Sequence, residues 1–166
     1  MMGQPATAPA DPPRTLEQTR VAHNVAAANG DEAGAARWRA ALAAGLDWPV
    51  RAKFDNQTEL LGAVRHRGAQ RGFTFYFLAG TFKVDAKFAV HARVVAPPRL
   101  STLPVDPLDL DLATNPVVPT SLWRPGHIYS VSVVFRKRPG REQLTGAWTG
   151  GIRRTDAATP IDIGRF

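Results

Sequence analysis

The stretch Phe73-Thr74-Phe75-Tyr76-Phe77 decides the fold class, because apolar rings recur at every second residue. A period of two puts the phenylalanines on one side of an extended chain and Thr74 and Tyr76 on the other. Two further stretches repeat the pattern. Val84, Ala86, Phe88, Val90, Ala92 and Val94 alternate with Asp85, Lys87, Ala89, His91 and Arg93. Tyr129, Val131, Val133 and Phe135 alternate with Ser130, Ser132 and Val134. Shorter strand candidates are Val50–Phe54, Leu60–Arg65 and Leu144–Thr149, with Gly62, Gly72, Gly80 and Gly126 among the glycines that mark turns, bulges or ends. Strands of this number and spacing predict an antiparallel β-sandwich over residues 48–154, with jelly-roll and immunoglobulin-like topologies both open.

Upstream of these strands the period is helical. Thr15 and Gln18 stand at capping-box spacing, and Leu16, Val21, Val25 and Ala28 follow as an apolar stripe. Asn29-Gly30 supplies a left-handed stop. Asp31 caps a second helix that carries Ala35, Trp38, Leu42 and Leu46 on one side, with Gly45 near its end. Residues 14–47 therefore read as an α-hairpin, and the whole chain as α+β. The spelling A-A-x-x-G-D-x-x-x-A over residues 26–35 resembles a single tetratricopeptide-type hairpin. One hairpin cannot stack as a solenoid, so its apolar side must pack on the rest of the chain or on a neighbour.

Two ends and one interior stretch depart from both periods. Residues 1–13, rich in Pro and Ala, read as a tag remnant or flexible linker with no secretory signal, and 155–166 as a C-terminal tail. Between Pro97 and Pro125 seven prolines forbid a regular central strand, so this reads as a long functional loop.

Composition narrows the functional classes. No apolar run is long enough to span a membrane, and the absence of cysteine excludes disulfides, thiolate zinc sites and a cysteine nucleophile. The net charge of +7 is unevenly spread: residues 1–50 balance to −1, and the remainder, with 17 basic and nine acidic side chains, to +8. Such a field attracts acidic glycan, anionic lipid surfaces or phosphate. The basic runs Arg136-Lys137-Arg138 and Arg153-Arg154 lack interleaved aromatics, which argues against sequence-specific nucleic-acid recognition.

Catalytic signatures are missing: no G-x-S-x-G, Walker loop, G-x-G-x-x-G or H-E-x-x-H occurs. The four histidines lie far apart in sequence. Asp106, Asp109 and Asp111 form the densest acid cluster, with the oxygen chemistry a calcium ion takes. Asp109-Leu110-Asp111 also has the D-x-D spelling of nucleotide-sugar glycosyltransferases, but no nucleotide-binding α/β pattern surrounds it. A capped or salt-bridged loop is the expectation, and no metal or other cofactor is called for. For ligand binding, Trp123, Tyr129 and Trp148 offer faces suited to sugar rings, and His91, Arg93 and Arg124 offer polar groups beside them. The competing role for Trp123 and Trp148 is to anchor the core.

The segment Pro119-Thr120-Ser121-Leu122-Trp123-Arg124-Pro125-Gly126-His127-Ile128-Tyr129 resembles the W-x-P-G-x-x-Y turn-into-strand element of β-sandwich domains in bacterial envelope proteins. Those domains accompany membrane-bound, glycosyltransferase-like proteins on the outer side of the membrane. Leu60-Leu61-Gly62 and the strand through His91 fit the same pattern, so the resemblance covers roughly residues 50–150. The preceding hairpin is similar to the periplasmic helices found beside such domains. The resemblance implies a periplasmic or other extracytoplasmic location, in a piece excised from a membrane-anchored parent, and an accessory role without catalytic residues. The expected function is binding of a glycan or an envelope protein partner. The alternatives are a small enzyme acting on carbohydrate or lipid-linked sugar, with the Asp106, Asp109, Asp111 and His91 groups, and a module that docks a protein through the hairpin. The hairpin reading requires Trp38 and Leu42 to share one exposed patch.

Overall fold

The structure, a computed structural model, describes residues 15–66, 72–83, 86, 88–95, 108–111, 118–134, 147–154 and 161–165. For 89–95, 108–111, 133–134, 147–154 and 161–165 the description is of the backbone. The Pro/Ala-rich start, Asp106, Phe135 and the Arg136-Lys137-Arg138 run lie outside it.

The fold is α+β. Helix α1 (Leu16–Ala28) opens with the predicted capping box: the Gln18 amide donates to Thr15 Oγ1 at 3.3 Å, and the Thr15 amide to Gln18 Oε1 at 3.2 Å. It stops at Asn29, after which Gly30 takes φ +71°. Helix α2 (Glu32–Ala44) is capped by Asp31, whose Oδ1 accepts from the Gly34 amide at 2.8 Å. Among the described residues eight strands follow: β1 (Trp48–Lys53), β2 (Glu59–Arg65), β3 (Gly72–Leu78), β4 (Phe88–Val95), β5 (Leu108–Asp111), β6 (Ile128–Val134), β7 (Ala147–Arg154) and β8 (Ile161–Arg165). They form two four-stranded sheets, ordered β1-β2-β3-β6 and β5-β4-β7-β8, with every recorded pairing antiparallel.

Sheet β1-β2-β3-β6 is packed on both faces along β2, β3 and β6, while Pro49, Arg51 and Lys53 of β1 stay exposed. Phe73, Phe75 and Phe77 join Phe54, Leu60, Val131, Phe88 and Trp123 in one core. On the opposite face Tyr76, Leu61 and Ile128 meet Leu42 and Leu46 of the hairpin, with Leu16 packed beside them. The period of two at Phe73–Phe77 thus serves two cores, and Tyr76, on the polar side of the alternation, is as buried as its phenylalanine neighbours. A bulge at Leu60/Gly62 re-aims β2. Gly62 holds φ +145°, and a Cβ there would collide with the Trp48 carbonyl oxygen and stand 3.1 Å from Pro49 Cα, so the backbones of β2 and the start of β1 approach as only glycine permits.

Three expectations are corrected. The stretch from Pro97 to Pro125 is not all loop: it contains β5, which fits in the proline-free interval between Pro107 and Pro116, and a 3-10 turn at Thr120–Leu122. The region 155–166 is not a plain tail, since β8 pairs with β7; Ile161-Asp162-Ile163 is too short an alternation to stand out by itself. The buried side of α1 is Thr19, His23 and Ala26, whereas Val21 and Val25 of the expected stripe are 50% and 55% exposed. Polar contacts to β6 rotate the helix away from its own most apolar edge.

Candidate functional site

The Trp-Arg-Pro-Gly-His-Ile-Tyr element is built from the core outward. The turn Thr120–Leu122 is held by Thr120, whose buried Oγ1 accepts from the Ala86 amide at 2.6 Å and donates to the Ala86 carbonyl at 3.2 Å. This brings Trp123 over Phe77 and Phe88, at centroid distances of 6.0 and 6.2 Å. Its indole Nε1 donates to the Val118 carbonyl at 3.0 Å. Tyr129 stacks on Trp123 with centroids 4.7 Å apart and planes within 2°, and its hydroxyl accepts from the Arg124 amide at 2.9 Å. Gly126, at φ +81°, closes the turn and donates to the Ala79 carbonyl at 2.9 Å.

Those contacts settle what Trp123 does. At 4% exposure its ring presents no face for a sugar; it is a core anchor, as is half-buried Tyr129 through the stack. Arg124 is exposed beside them. The expected aromatic platform is therefore not assembled from Trp123 and Tyr129.

The strand register divides the remaining candidates. His91 stands opposite Asp109 on one side and Gly151 on the other; Ala89 stands opposite Asp111 and Arg153; Arg93 stands opposite Thr149. Because directly opposed residues share a sheet face and alternate residues keep to it, His91, Arg93, Asp109, Asp111 and Arg153 occupy positions on one face. Trp148 is opposite Val94, in the same set as Val90 and Phe88, and Phe88 belongs to the core. Trp148 is thereby placed on the other face from His91 and Arg93. The backbone brings His91 and the acid pair together across neighbouring strands, a juxtaposition the sequence does not reveal, since 18 residues separate His91 from Asp109.

A second polar row was not foreseen. His66 Nε2 lies 2.7 Å from Thr74 Oγ1, which lies 2.8 Å from Ser132 Oγ. One hydrogen on Thr74 fixes a direction: when neutral His66 accepts from Thr74, Thr74 accepts from Ser132. Beside this row the Tyr76 hydroxyl donates to Glu17 Oε1 at 3.1 Å, and Glu17 Oε2 accepts from Arg20 Nε at 2.9 Å. Burial, reinforced by the Glu17 charge, pushes the Tyr76 phenol well above its ordinary range. Period-two patterning hints at this row, because Thr74, Tyr76, Ser130 and Ser132 share a face; the join to His66 and α1 requires the fold.

Helix α1 is tied to the sheet by a side chain that acts as a strand. Asn24 Nδ2 donates to the Ile128 carbonyl at 2.8 Å, and the Ile128 amide donates to Asn24 Oδ1 at 2.7 Å. Arg20 Nη1 adds a bond to the same carbonyl at 3.2 Å. His23, 2% exposed, has Nδ1 3.0 Å from Asn24 Oδ1, so that nitrogen carries the proton. Burial, aided by the Arg39 charge, holds His23 below the ordinary histidine value. Burial likewise lowers His66. His127 is lowered by burial and by the nearby Arg124 and His23.

Among the described residues no group of three metal-ligating side chains converges. No helix among them is long and apolar enough to cross a membrane. Comparison with protein-family models, curated proteins and solved structures found no match to this chain.

Proposed function

We propose that this chain is a non-catalytic accessory domain of a bacterial envelope protein, working on the outer side of the membrane, that binds an acidic envelope glycan through the polar face of β4, β5 and β7. In this reading the two sheets are the layers of a β-sandwich joined at Phe88. The nesting of β4–β5 inside the β3–β6 pair supports the jelly-roll alternative, because it is a Greek key folded over on itself.

The observation that carries the reading is the division of β4 into two sets. Phe88 is committed to the core, while His91 and Arg93 fall on the other face with Asp109, Asp111 and Arg153. A face mixing cations with carboxylates suits hydroxyl-rich ligands, and the +8 balance of residues 51–166 sets the sign of the ligand as acidic. The W-x-P-G-x-x-Y resemblance supplies the envelope location. Docking through a Trp38–Leu42 patch is not favoured, because Leu42 is fully buried against the sheet.

An array of acidic and neutral glycans tests the binding. The wild-type chain is expected to retain acidic glycans, and the double variant His91→Ala/Arg93→Ala to lose them while keeping its circular dichroism. Retention by the double variant, or no binding by either, overturns the glycan assignment. An alkaline phosphatase fusion following residue 166 of the parent gene product tests location, with activity expected only for an extracytoplasmic domain.

A further inference from the structure

We propose that the outer edge of β6 is a strand-addition site occupied by the β6 of a second copy, paired antiparallel about Ser132. The argument starts from Ile128. In an antiparallel strand the amide and carbonyl of one residue point to the same side, and successive residues alternate. Ile128 gives both groups to Asn24, on the side away from β3. Ser130, Ser132 and Val134 therefore aim theirs outward too. The Ser132–Thr74 hydroxyl contact agrees, since facing side chains approach most closely at pairs that do not exchange ladder bonds. Among the described residues Asn24 and Arg20 close this edge at Ile128, and no backbone bond fills it from Ser130 onward.

The opposite edge of the same sheet is defended and this one is not. Strand β1 carries Pro49, Arg51, Lys53 and a register irregularity between Pro49 and Ala52, the devices that keep edges from pairing. Strand β6, Ile-Tyr-Ser-Val-Ser-Val-Val, has no charge and no proline, and β-branched residues at Ile128, Val131, Val133 and Val134.

Its own chemistry names the occupant. An uncharged strand meets a second copy of itself without like-charge contact, although the protein as a whole carries +7. Antiparallel pairing of two identical strands relates the copies by a two-fold axis, so the contact closes at a dimer. An axis at Ser132 places Ser130 against Val134 of the second copy and leaves Ile128 to Asn24. An axis at Ser130 would drive the incoming strand into Asn24.

The absence of cysteine makes the test clean, because one introduced thiol is the only thiol. Residues facing each other across a bonded pair have Cα atoms about 5.5 Å apart, within disulfide reach. Under mild oxidation Ser132→Cys is expected to form a covalent dimer on the order of tenfold faster than Leu122→Cys, an exposed site on the 3-10 turn. Sedimentation of the unmodified chain is expected to show a concentration-dependent dimer that strengthens with salt, as the +7 repulsion is screened. Ser130→Lys and Ser132→Pro, the latter at a position whose amide faces away from the sheet, are expected to abolish it. Equal cross-linking rates, a monomer at all concentrations, or a dimer that survives Ser130→Lys overturns the proposal.

Discussion

Trp123 and Thr120 show how a residue that looks like a ligand contact becomes a structural one. A tryptophan between proline-rich sequence and a strand reads equally well as platform or anchor, and the choice depends on what lies above its ring. Here Tyr129 lies there at 4.7 Å, brought by a turn that Thr120 pins to Ala86. Trp123→Ala is expected to cost about 3–5 kcal/mol in urea unfolding, the range for removing a large buried aromatic. Thr120→Val keeps the shape but strands the Ala86 amide and carbonyl, and is expected to cost about 1–3 kcal/mol by the same measurement. Neither loss was legible in the sequence, because Ala86 and Thr120 are 34 residues apart and only the fold pairs them. The Gly62 requirement was half legible: a glycine inside a strand pattern signals a bulge, but not that the Trp48 carbonyl stands over it.

The helices and strands were read more surely than the faces they bury. Thr15 and Gln18, Asp31, and the Phe73–Phe77 alternation carry local signals, and the elements begin where those signals stand. The buried side of α1 escaped because hydropathy favours Val21 and Val25, whereas hydrogen bonds from Asn24 and Arg20 to Ile128 set the rotation. Asn24→Leu removes both Asn24 bonds to Ile128, leaving only Arg20 on its carbonyl, and is expected to loosen α1 before the sheet, seen as faster amide exchange at Ile128 and earlier proteolysis within the hairpin. The buried histidine beside it adds a pH dependence. In the unfolded chain His23 titrates near 6.5, and in the folded protein below that. The unfolded state therefore binds more protons as pH falls through 6.5, and stability present above that value is lost below it. His66 and His127 shift the same way. Melting temperature is expected to drop between pH 7.5 and 5.5, and His23→Gln to flatten part of that slope.

The molecule as a whole depends on a sheet that packs on both sides. Sheet β1-β2-β3-β6 lies between the aromatic core and the hairpin, so the hairpin is a wall of the domain rather than an appendage. Deleting residues 15–47 would bare Leu61, Tyr76 and Ile128 together, and the product is expected to bind hydrophobic dye and aggregate. The α+β class follows from the switch of period between Gly45 and Trp48, which any reading of the sequence meets. The pairing of β4 with β7, and hence the gathering of His91, Asp109 and Arg153, does not follow from it. Long-range register depends on which apolar faces meet, and several strands here have interchangeable patterns.

The Asn24–Ile128 pair also has a consequence in time. The two residues are 104 positions apart, so helix α1 leaves the ribosome well before the strand that closes its polar latch. At about 5–20 residues per second that delay is roughly 5–20 seconds. Helix α1 is made long before it is fastened, and a nascent chain halted before β6 would carry a hairpin without that latch.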